Sequence, residues 1–328
     1  MTKLTIAIPN YNGGKNLQRA ITSCKKIKIP LEDYEILVVD NCSTDNSIDV
    51  VNELNHEFSN LVLINNKENV GRIQNWNVCL ENAKGKFLIF LFSNDTINDQ
   101  NNIHEILEIL DNKENISIGF SSLLKKEIDN SYIKKSFSDK IIECPSNLFA
   151  QECMSRGLLP FGPIQSIIYR MDDVRKDQNN FLTSMPINAD EIFTYKEACK
   201  RGNILFNPNP QITWDLTGSR FHGQMKIEDE FKEHSETMKI ITKETGLEVN
   251  YGLVSTYRAI NLLKFSTGNL KNDGKKQAIS HLLSKMKENK SFFNTDKILF
   301  KIFINKLKNS ERDADDILYR LIILECLK

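Results

Sequence analysis

Short polar segments follow three apolar segments of this sequence and hold the residues best suited to bind a ligand. The first is Pro9–Asn12, the second begins at Asp40, and the third is Ser93–Asp95. The Asp40 carboxylate can accept a hydrogen bond from the imide N–H of uracil or thymine, or from guanine N1–H. Asp95 can ligate a hard cation, which in turn can hold a phosphate. Each has a structural alternative: an Asx-turn for Asp40 and a helix cap for Ser93–Asp95.

Three further positions carry groups suited to anion binding, proton transfer or metal binding. Asn69-Val70-Gly71 precedes a predicted helix, whose N-terminus attracts phosphate. Asp190 and Glu191 open another predicted helix, and a carboxylate there can take a proton from an attacking hydroxyl, although acids at a helix start also complement the macrodipole. His222 is a candidate third ligand for a cation of the manganese or magnesium type, although a lone histidine is more often structural.

Strands and helices alternate through the first part of the chain, and this alternation positions the three polar segments. Apolar runs predict strands, with helices between them, at Leu4–Ile8, Glu35–Val39, Leu61–Ile64, Phe87–Phe92 and Ile116–Phe120. Repeated βαβ units of this kind form a parallel sheet with helices on both faces. Because right-handed crossovers bring the strand ends to one edge, Pro9–Asn12, Asp40–Asp45 and Ser93–Asp95 should line one crevice.

The later part of the sequence predicts a change of architecture. Ile164–Tyr169 is a predicted strand, Ala189–Arg201 a helix and Ile204–Phe206 a short strand, before a boundary near Gly223. We therefore divide the chain into an α/β domain, 1–224, and an all-helical region, 225–328. The predicted helices of that region are Phe231–Thr245, Val254–Phe265, Lys275–Glu288, Thr295–Lys308 and Ala314–Leu327.

Composition excludes several classes of protein. The formal net charge is zero and the pI is near 7.0, which argues against general nucleic-acid binding. No apolar run approaches the roughly 20 residues of a membrane helix, and the N-terminus lacks a signal-peptide pattern. The basic, apolar segment Lys297–Lys308 has two interpretations: contact with an anionic membrane surface, or packing inside the helical region.

Cysteine usage and one sequon bear on the compartment. The seven cysteines form no C-x-x-C pair, so neither a disulfide framework nor a thiolate zinc site is predicted. Asn94-Asp95-Thr96 is an N-x-T sequon inside a candidate site, where a glycan would block binding. We therefore expect a cytoplasmic protein, with a position at the inner face of the membrane left open.

The motifs occur together and in order: T-I-A-I-P-N-Y-N-G, I-L-V-V-D-N-C-S-T-D-N-S, N-V-G-R-I-Q-N-W-N and K-F-L-I-F-L-F-S-N-D-T-I. The chain thus resembles the family 2 glycosyltransferases of the GT-A fold over about Met1–Gly223. The later N-A-D-E-I-F-T-Y-K-E-A-C-K-R-G resembles that family's acidic-pair helix, and T-G-S-R-F-H its closing segment. The implied fold is α/β, a GT-A (Rossmann-like), mostly parallel sheet flanked by helices, with an all-helical C-terminal region.

The resemblance implies roles for single residues. Glu191 would be the catalytic base, with Asp190 left open. Asp95 and His222 would bind a divalent metal, Mn²⁺ or Mg²⁺, at a D-x-D signature reduced here to Ser93-Asn94-Asp95. The residues implied at the donor nucleotide are Pro9, Asn10, Tyr11, Asp40, Gly71, Arg72, Asn75 and Asn94, with Asn77 as a further support.

The implied reaction is an inverting, single-displacement transfer of one sugar from a UDP-, dTDP- or GDP-linked donor. The acceptor would be a hydroxyl of a glycan or lipid-linked molecule in surface polysaccharide synthesis. Gln211-Ile-Thr-Trp214 lacks the arginine of the processive members' Q-x-x-R-W signature, so a non-processive enzyme is expected. Two alternatives stay open: a non-catalytic glycan- or nucleotide-binding module, and a sugar nucleotidyltransferase. A homo-oligomer also stays open.

Overall fold

The computed structural model describes residues 2–98, 102–126, 131–134, 138–155, 160–161, 163–215, 227–249 and 326. Packing divides the chain into two units, Met1–Asn147 with Phe161–Ser219, and Leu148–Pro160 with Arg220–Lys328. The second unit therefore takes in a short segment from the middle of the sequence. The boundary at residue 224 stays a prediction.

Twelve strands are present in the described residues. Their bounds are β1 Leu4–Asn10, β2 Tyr34–Asp40, β3 Leu61–Asn65, β4 Phe87–Phe90, β5 Thr96–Ile97, β6 Ile116–Ser121, β7 Leu123–Lys126, β8 Ser131–Lys134, β9 Ile142–Pro145, β10 Ile167–Arg170, β11 Asn203–Asn207 and β12 Ile212–Asp215.

Eight α-helices lie in the same described ranges. Their bounds are α1 Gly14–Ser23, α2 Ser47–Leu54, α3 Arg72–Asn82, α4 Asn102–Asn112, α5 Ser146–Ser155, α6 Met171–Lys176, α7 Ala189–Ala198 and α8 Ile227–Thr245. None of them is long and apolar enough to span a bilayer.

The main sheet has the order β3-β2-β1-β4-β10-β6-β11-β9. Strands β3, β2, β1 and β4 are mutually parallel, as predicted. Strand β10 runs antiparallel to both β4 and β6, so β4 and β6 point the same way. The sheet is therefore mixed rather than uniformly parallel, and β10 begins at the edge where β4 ends. A second sheet has the order β5-β12-β7-β8.

The core follows from the two apolar strands that open the chain. Every residue of β1 and β2 is buried, as expected for central parallel strands covered on both faces. The helical spacing of Leu17, Ala20 and Ile21 places them on the buried face of α1. This packing fixes the positions at which β1 and β2 end, and hence the polar residues that follow them.

Several predicted boundaries differ from the structure. The strand predicted over Phe87–Phe92 ends at Phe90, because Phe92 leaves the sheet to lie against Trp76, with ring centroids 5.4 Å apart. Ile164–Ser166 forms a 3-10 turn ahead of β10. Strands of two to four residues such as β5 and β12 are too short for a periodicity argument, and the sequence did not predict them.

The predicted helix Phe231–Thr245 corresponds to α8, which begins four residues earlier. Of the other predicted C-terminal helices, the structure describes only Cys326 in Ala314–Leu327. The segment Lys297–Lys308 lies outside the described residues, and so does His222.

Candidate functional site

The ends of β1 and β2 bring Asn10 and Asp40 side by side, as the sequence predicted. The two residues are paired in the sheet register, and each is 1% exposed. Asn10 Nδ2 donates to Asp40 Oδ1 at 2.7 Å. Ser43 donates its N–H to Asp40 Oδ2 at 2.7 Å and its hydroxyl to Oδ1 at 2.6 Å. These contacts use about three of the four acceptor positions of a carboxylate, so Oδ2 keeps capacity for one more donor.

The loops after β1 and β2 are joined by hydrogen bonds into one rim. Asn12 donates its N–H to Ser43 Oγ at 2.8 Å, and Asn12 Oδ1 accepts the N–H of Thr44 at 2.8 Å. Ser47 Oγ accepts the N–H of Gly13 at 3.0 Å. Tyr11 stands on this rim with half of its surface exposed, so its ring is available for stacking.

Gly13 is required by close packing beneath the same rim. A Cβ atom at this position would lie 2.1 Å from Asn10 Oδ1. Any larger residue therefore pushes against the side chain that holds Asp40.

Asparagine side chains support the segment that leads into α3. Asn41 Oδ1 accepts the N–H of Val70 at 3.0 Å, and its Nδ2 donates to Asn69 Oδ1 at 2.8 Å. Asn69 Oδ1 also accepts the N–H of Gly71, which has φ of +85° and so suits glycine. Asn75 is 3% exposed and donates to the carbonyl of Val39 at 3.1 Å. The structure thus places Asn75 behind the predicted donor site as a support of β2.

The acid pair lies at the start of α7, and the direction of that helix locates it. Ser117 Oγ, at the beginning of β6, donates to the carbonyl of Ala198 at the end of α7. The helix therefore runs opposite to β6, and its first turn points toward the edge where β4 and β6 end. Glu191 is 9% exposed and Asp190 is half-buried.

Aromatic and hydroxyl contacts fix α7 against the sheet. Phe193 stacks on Phe181 with ring centroids 4.2 Å apart. The hydroxyls of Tyr169 and Thr194 are 2.6 Å apart. Burial raises the pKa of Tyr169 well above its ordinary value, and the negative charge of Asp190 raises it further. Tyr169 is therefore a neutral hydrogen-bonding partner beside the acid pair.

Helix α3 holds the segment that leads into α7. Asn77 donates to the carbonyl of Phe181 at 3.0 Å and accepts its N–H at 2.8 Å. Arg72 donates to the carbonyl of Pro186, and its guanidinium carbon lies 4.7 Å from the centre of the Trp76 ring. The structure thus joins Arg72, predicted to lie near phosphate, to the approach of the acid pair.

Asn94 and Asp95 bind the backbone of Asp215, the last residue of β12. Asn94 Nδ2 donates to the carbonyl of Asp215 at 2.8 Å. The N–H of Asp215 donates to Asp95 Oδ1 at 3.0 Å. Asp95 Oδ1 also accepts from Asn94 Nδ2 at 3.1 Å, and Oδ2 accepts from Gln165 Nε2 at 3.2 Å. Both backbone polar groups of Asp215 are therefore satisfied by these two side chains.

Two basic side chains form ion pairs with the Asp215 carboxylate beside the turn that holds Asn94 and Asp95. Arg19 lies 3.2 Å and Lys126 3.4 Å from the same oxygen, Oδ2. Arg19 also donates to the carbonyl of Asn94 at 2.7 Å. Positive charge at this edge is thus supplied by side chains.

Burial dominates the electrostatics of Asp95, which is 0% exposed. Desolvation raises the pKa of its carboxyl to about 8, and the neighbouring Asp215 carboxylate adds to the rise. The hydrogen bond from the Asp215 N–H and the charge of Arg19 oppose that rise only in part. Burial therefore disfavours the charged form of this carboxyl.

The residues around Asp95 do not fit a divalent metal in this arrangement. Both carboxylate oxygens accept hydrogen bonds from the protein, so Asp95 would have to give up some of these bonds to ligate a cation. Within the part of the chain that the structure describes, no three histidine, cysteine, aspartate or glutamate side chains are grouped to hold a metal.

Several residues that build this edge were not predicted from the sequence. They come from elements far apart in the chain: Arg19, Asn41, Asn66, Lys126, Gln165 and Asp215. The sequence carried no usable signal for Asp215, because Ile212-Thr213-Trp214 before it is too short to predict a strand.

Comparison with known proteins gives one family and a set of relatives. A family model described as "Glycosyl transferase family 2" matches residues 5–176. A poly(ribitol-phosphate) beta-glucosyltransferase of Bacillus spizizenii is 26% identical over 203 residues, 62% of this chain but 30% of that protein. A Methanococcus voltae protein named dolichyl N-acetyl-alpha-D-glucosaminyl phosphate 3-beta-D-2,3-diacetamido-2,3-dideoxy-beta-D-glucuronosyltransferase is 25% identical over 218 residues, 64% of this chain and 65% of that protein. The chain therefore spans less than a third of the Bacillus relative.

Two solved structures resemble the fold over nearly the whole chain. Staphylococcus aureus TarS 1–349 in complex with UDP-GlcNAc has a TM-score of 0.62 at 19% identity, covering 98% of this chain and 90% of that one. A Pyrobaculum calidifontis mannosyltransferase in complex with GDP-Man and Mn²⁺ has a TM-score of 0.57 at 12% identity, covering 99% and 87%. At these identities the likeness establishes the fold alone.

Proposed function

The chain belongs to glycosyl transferase family 2, and from that premise we propose that it transfers one sugar from a nucleoside-diphosphate sugar to an acceptor hydroxyl. The predicted GT-A fold is confirmed by its likeness to the solved structures of TarS with UDP-GlcNAc and of the mannosyltransferase with GDP-Man. The transfer itself, its donor and its acceptor are our proposal.

One observation carries the proposal. The Asn10–Asp40 pair and the first turn of α7 lie at the same edge of one sheet, because β1, β2, β4 and β6 run in one direction. A carboxylate suited to a nucleobase and an acid pair suited to proton transfer thus share that edge. A binding module has no need of the second group.

We assign the donor base to the rim formed by the loops after β1 and β2. Asp40 Oδ2 would accept an imide N–H, and the exposed Tyr11 ring would stack on the base. Uridine is the first choice, because the S. aureus relatives were solved with UDP and UDP-GlcNAc. Thymidine and guanosine diphosphates are the alternatives.

We assign proton transfer to Glu191, with Asp190 as the alternative. The carboxylate would take the proton of the acceptor hydroxyl while that oxygen forms a bond to the anomeric carbon. The anomeric C–O bond to the diphosphate would break on the opposite side, and its electron pair would leave with the nucleoside diphosphate. This single displacement inverts the anomeric configuration.

The acceptor class is inferred from the relatives. Their names specify poly(ribitol phosphate) and a dolichyl-linked sugar, both of which are anionic or lipid-linked glycan acceptors. We therefore propose a glycan or lipid-linked acceptor in surface polysaccharide synthesis, at the cytoplasmic side of a membrane.

Nucleoside diphosphate release from UDP-, dTDP- and GDP-sugars, with a glycan-phosphate acceptor present, tests the proposal. Glu191→Gln should lower turnover by about 10²–10⁴-fold while donor affinity is kept. Asp190→Asn separates the two candidates, and Glu57→Gln at an exposed ion pair is the matched control. If the full chain binds a nucleotide tightly but never releases a diphosphate, the non-catalytic binding module is the correct alternative.

A further inference from the structure

We infer that Asn94 and Asp95 form a structural clamp on the end of β12, and that the donor diphosphate is held without a divalent cation bound by this turn. The inference deepens the proposed function, since it concerns how the same donor is held. It replaces the sequence-based expectation that Asp95 ligates a metal.

The clamp is defined by which backbone groups it satisfies. The carbonyl of Asp215 accepts from Asn94 Nδ2, and its N–H donates to Asp95 Oδ1. The two side chains therefore do for the last residue of β12 what a neighbouring strand does for a residue inside a sheet. Loss of either partner leaves a buried backbone group unpaired, which is costly.

The same contacts leave little for a cation. Mg²⁺ and Mn²⁺ need oxygen ligands at about 2.0–2.2 Å, and a carboxylate that accepts hydrogen bonds on both oxygens must release some of them to ligate. Asp95 has no exposed surface, and the ring of Phe92 lies against Trp76.

Positive charge for the diphosphate is available without a metal. Arg19 and Lys126 are 44% and 47% exposed and share one oxygen of Asp215. These two cations therefore place positive charge beside the Asn94–Asp95 turn.

Two substitutions distinguish the clamp from a metal site because they act in opposite directions. Asp95→Asn keeps an acceptor for the Asp215 N–H and offers an amide to Gln165, so the clamp survives while a metal ligand is lost. Asn94→Asp adds a carboxylate that a metal would use, but it removes the donor to the Asp215 carbonyl and sets two oxygens against each other.

The experiment measures nucleotide affinity by calorimetry for UDP, dTDP and GDP, with Mn²⁺ and with EDTA, and thermal unfolding of each full-length variant. We expect wild-type affinity for the preferred nucleotide to agree within about twofold in Mn²⁺ and EDTA. Asp95→Asn should bind and unfold like the wild type, whereas Asn94→Asp should unfold at a lower temperature without gaining affinity.

Opposite results overturn the inference. The first such result is a wild-type nucleotide affinity that is about tenfold or more higher in Mn²⁺ than in EDTA, with this difference absent in Asp95→Asn. The second is a nucleotide affinity of Asn94→Asp that is higher than that of the wild type and depends on Mn²⁺. If wild type binds none of the nucleotides in either condition, the proposed function fails instead. The clamp is still judged in that case, because unfolding of Asp95→Asn well below the wild type refutes it.

Discussion

Asn77 pairs with the backbone of Phe181 through two hydrogen bonds, although the two residues are 104 positions apart. The side-chain amide of Asn77 in α3 thereby satisfies the backbone N–H and carbonyl of Phe181, which lies in the segment that leads to Asp190 and Glu191. This relationship links the position of α7 to that of α3, and it makes Asn77 a positioning residue for the proposed base.

Asn77→Ala should destabilise the fold and slow the reaction. Two buried backbone groups of Phe181 lose their partner, which costs about 1–3 kcal/mol of unfolding free energy. Turnover should fall more than donor affinity, because the pairing holds the approach to Glu191 rather than the Asn10–Asp40 rim. Denaturant unfolding and separate kcat and KM values measure both effects.

Asn82→Ala is the matched control for that variant. Asn82 lies on the same helix and donates only to the carbonyl of Val78, one turn earlier. A loss of turnover in Asn82→Ala equal to that in Asn77→Ala would show that general weakening of α3 is the cause.

Gly13→Ala should weaken nucleotide binding. The added methyl carbon would lie 2.1 Å from Asn10 Oδ1, so Asn10 must move and its hydrogen bond to Asp40 is lost. We expect affinity for the preferred nucleoside diphosphate to fall by about tenfold or more, measured by calorimetry. Gly202→Ala is the control, since a Cβ there approaches nothing closer than 3.9 Å. Unchanged affinity in Gly13→Ala would mean that the rim does not hold the base.

The stability of the wild type should depend on the protonation of Asp95. The pKa of this carboxyl rises from 3.8 to about 8 on folding, so the folded state binds the extra proton between these values. The contribution of Asp95 to the free energy of unfolding is therefore largest at low pH, and it decreases as the pH rises toward 8. Wild type should lose more stability than Asp95→Asn over that range, because the asparagine does not ionise. Parallel pH profiles of unfolding for the two proteins would contradict a raised pKa.

Arg170→Met should destabilise the protein without a direct effect on the site. The buried guanidinium donates to the carbonyls of Leu110, Lys113 and Ile116 at the end of α4 and the start of β6. Removing it leaves these acceptors unpaired, and we expect a loss of about 3 kcal/mol in denaturant unfolding. Lys25→Met, at a half-exposed ion pair, is the control and should change stability by no more than about 0.5 kcal/mol. Equal losses of stability in the two variants would show that the three hydrogen bonds of Arg170 do not stabilise the fold.

The sequence by itself determined the first half of the sheet and one half of the site. Apolar runs of fixed length predict β1, β2 and β3, and right-handed crossovers require their ends to share an edge. The sequence alone therefore places Asn10 and Asp40 together. It also places the acid pair at the start of a helix, since local periodicity and Gly202 define that helix.

Only the tertiary structure decided which residues Asp95 contacts. A polar residue after an apolar run has the same local pattern whether it faces a ligand or the protein interior. The contacts that bury Asp95 come from Gln165 and from Asp215, which is 120 positions away. The direction of β10 was likewise undetermined, because strand pairing depends on neighbours that local periodicity does not specify. Long-range packing, which sets burial and hydrogen-bond partners, therefore gave Asp95 its contacts with Gln165 and Asp215, and its metal role stays a prediction that our clamp proposal opposes.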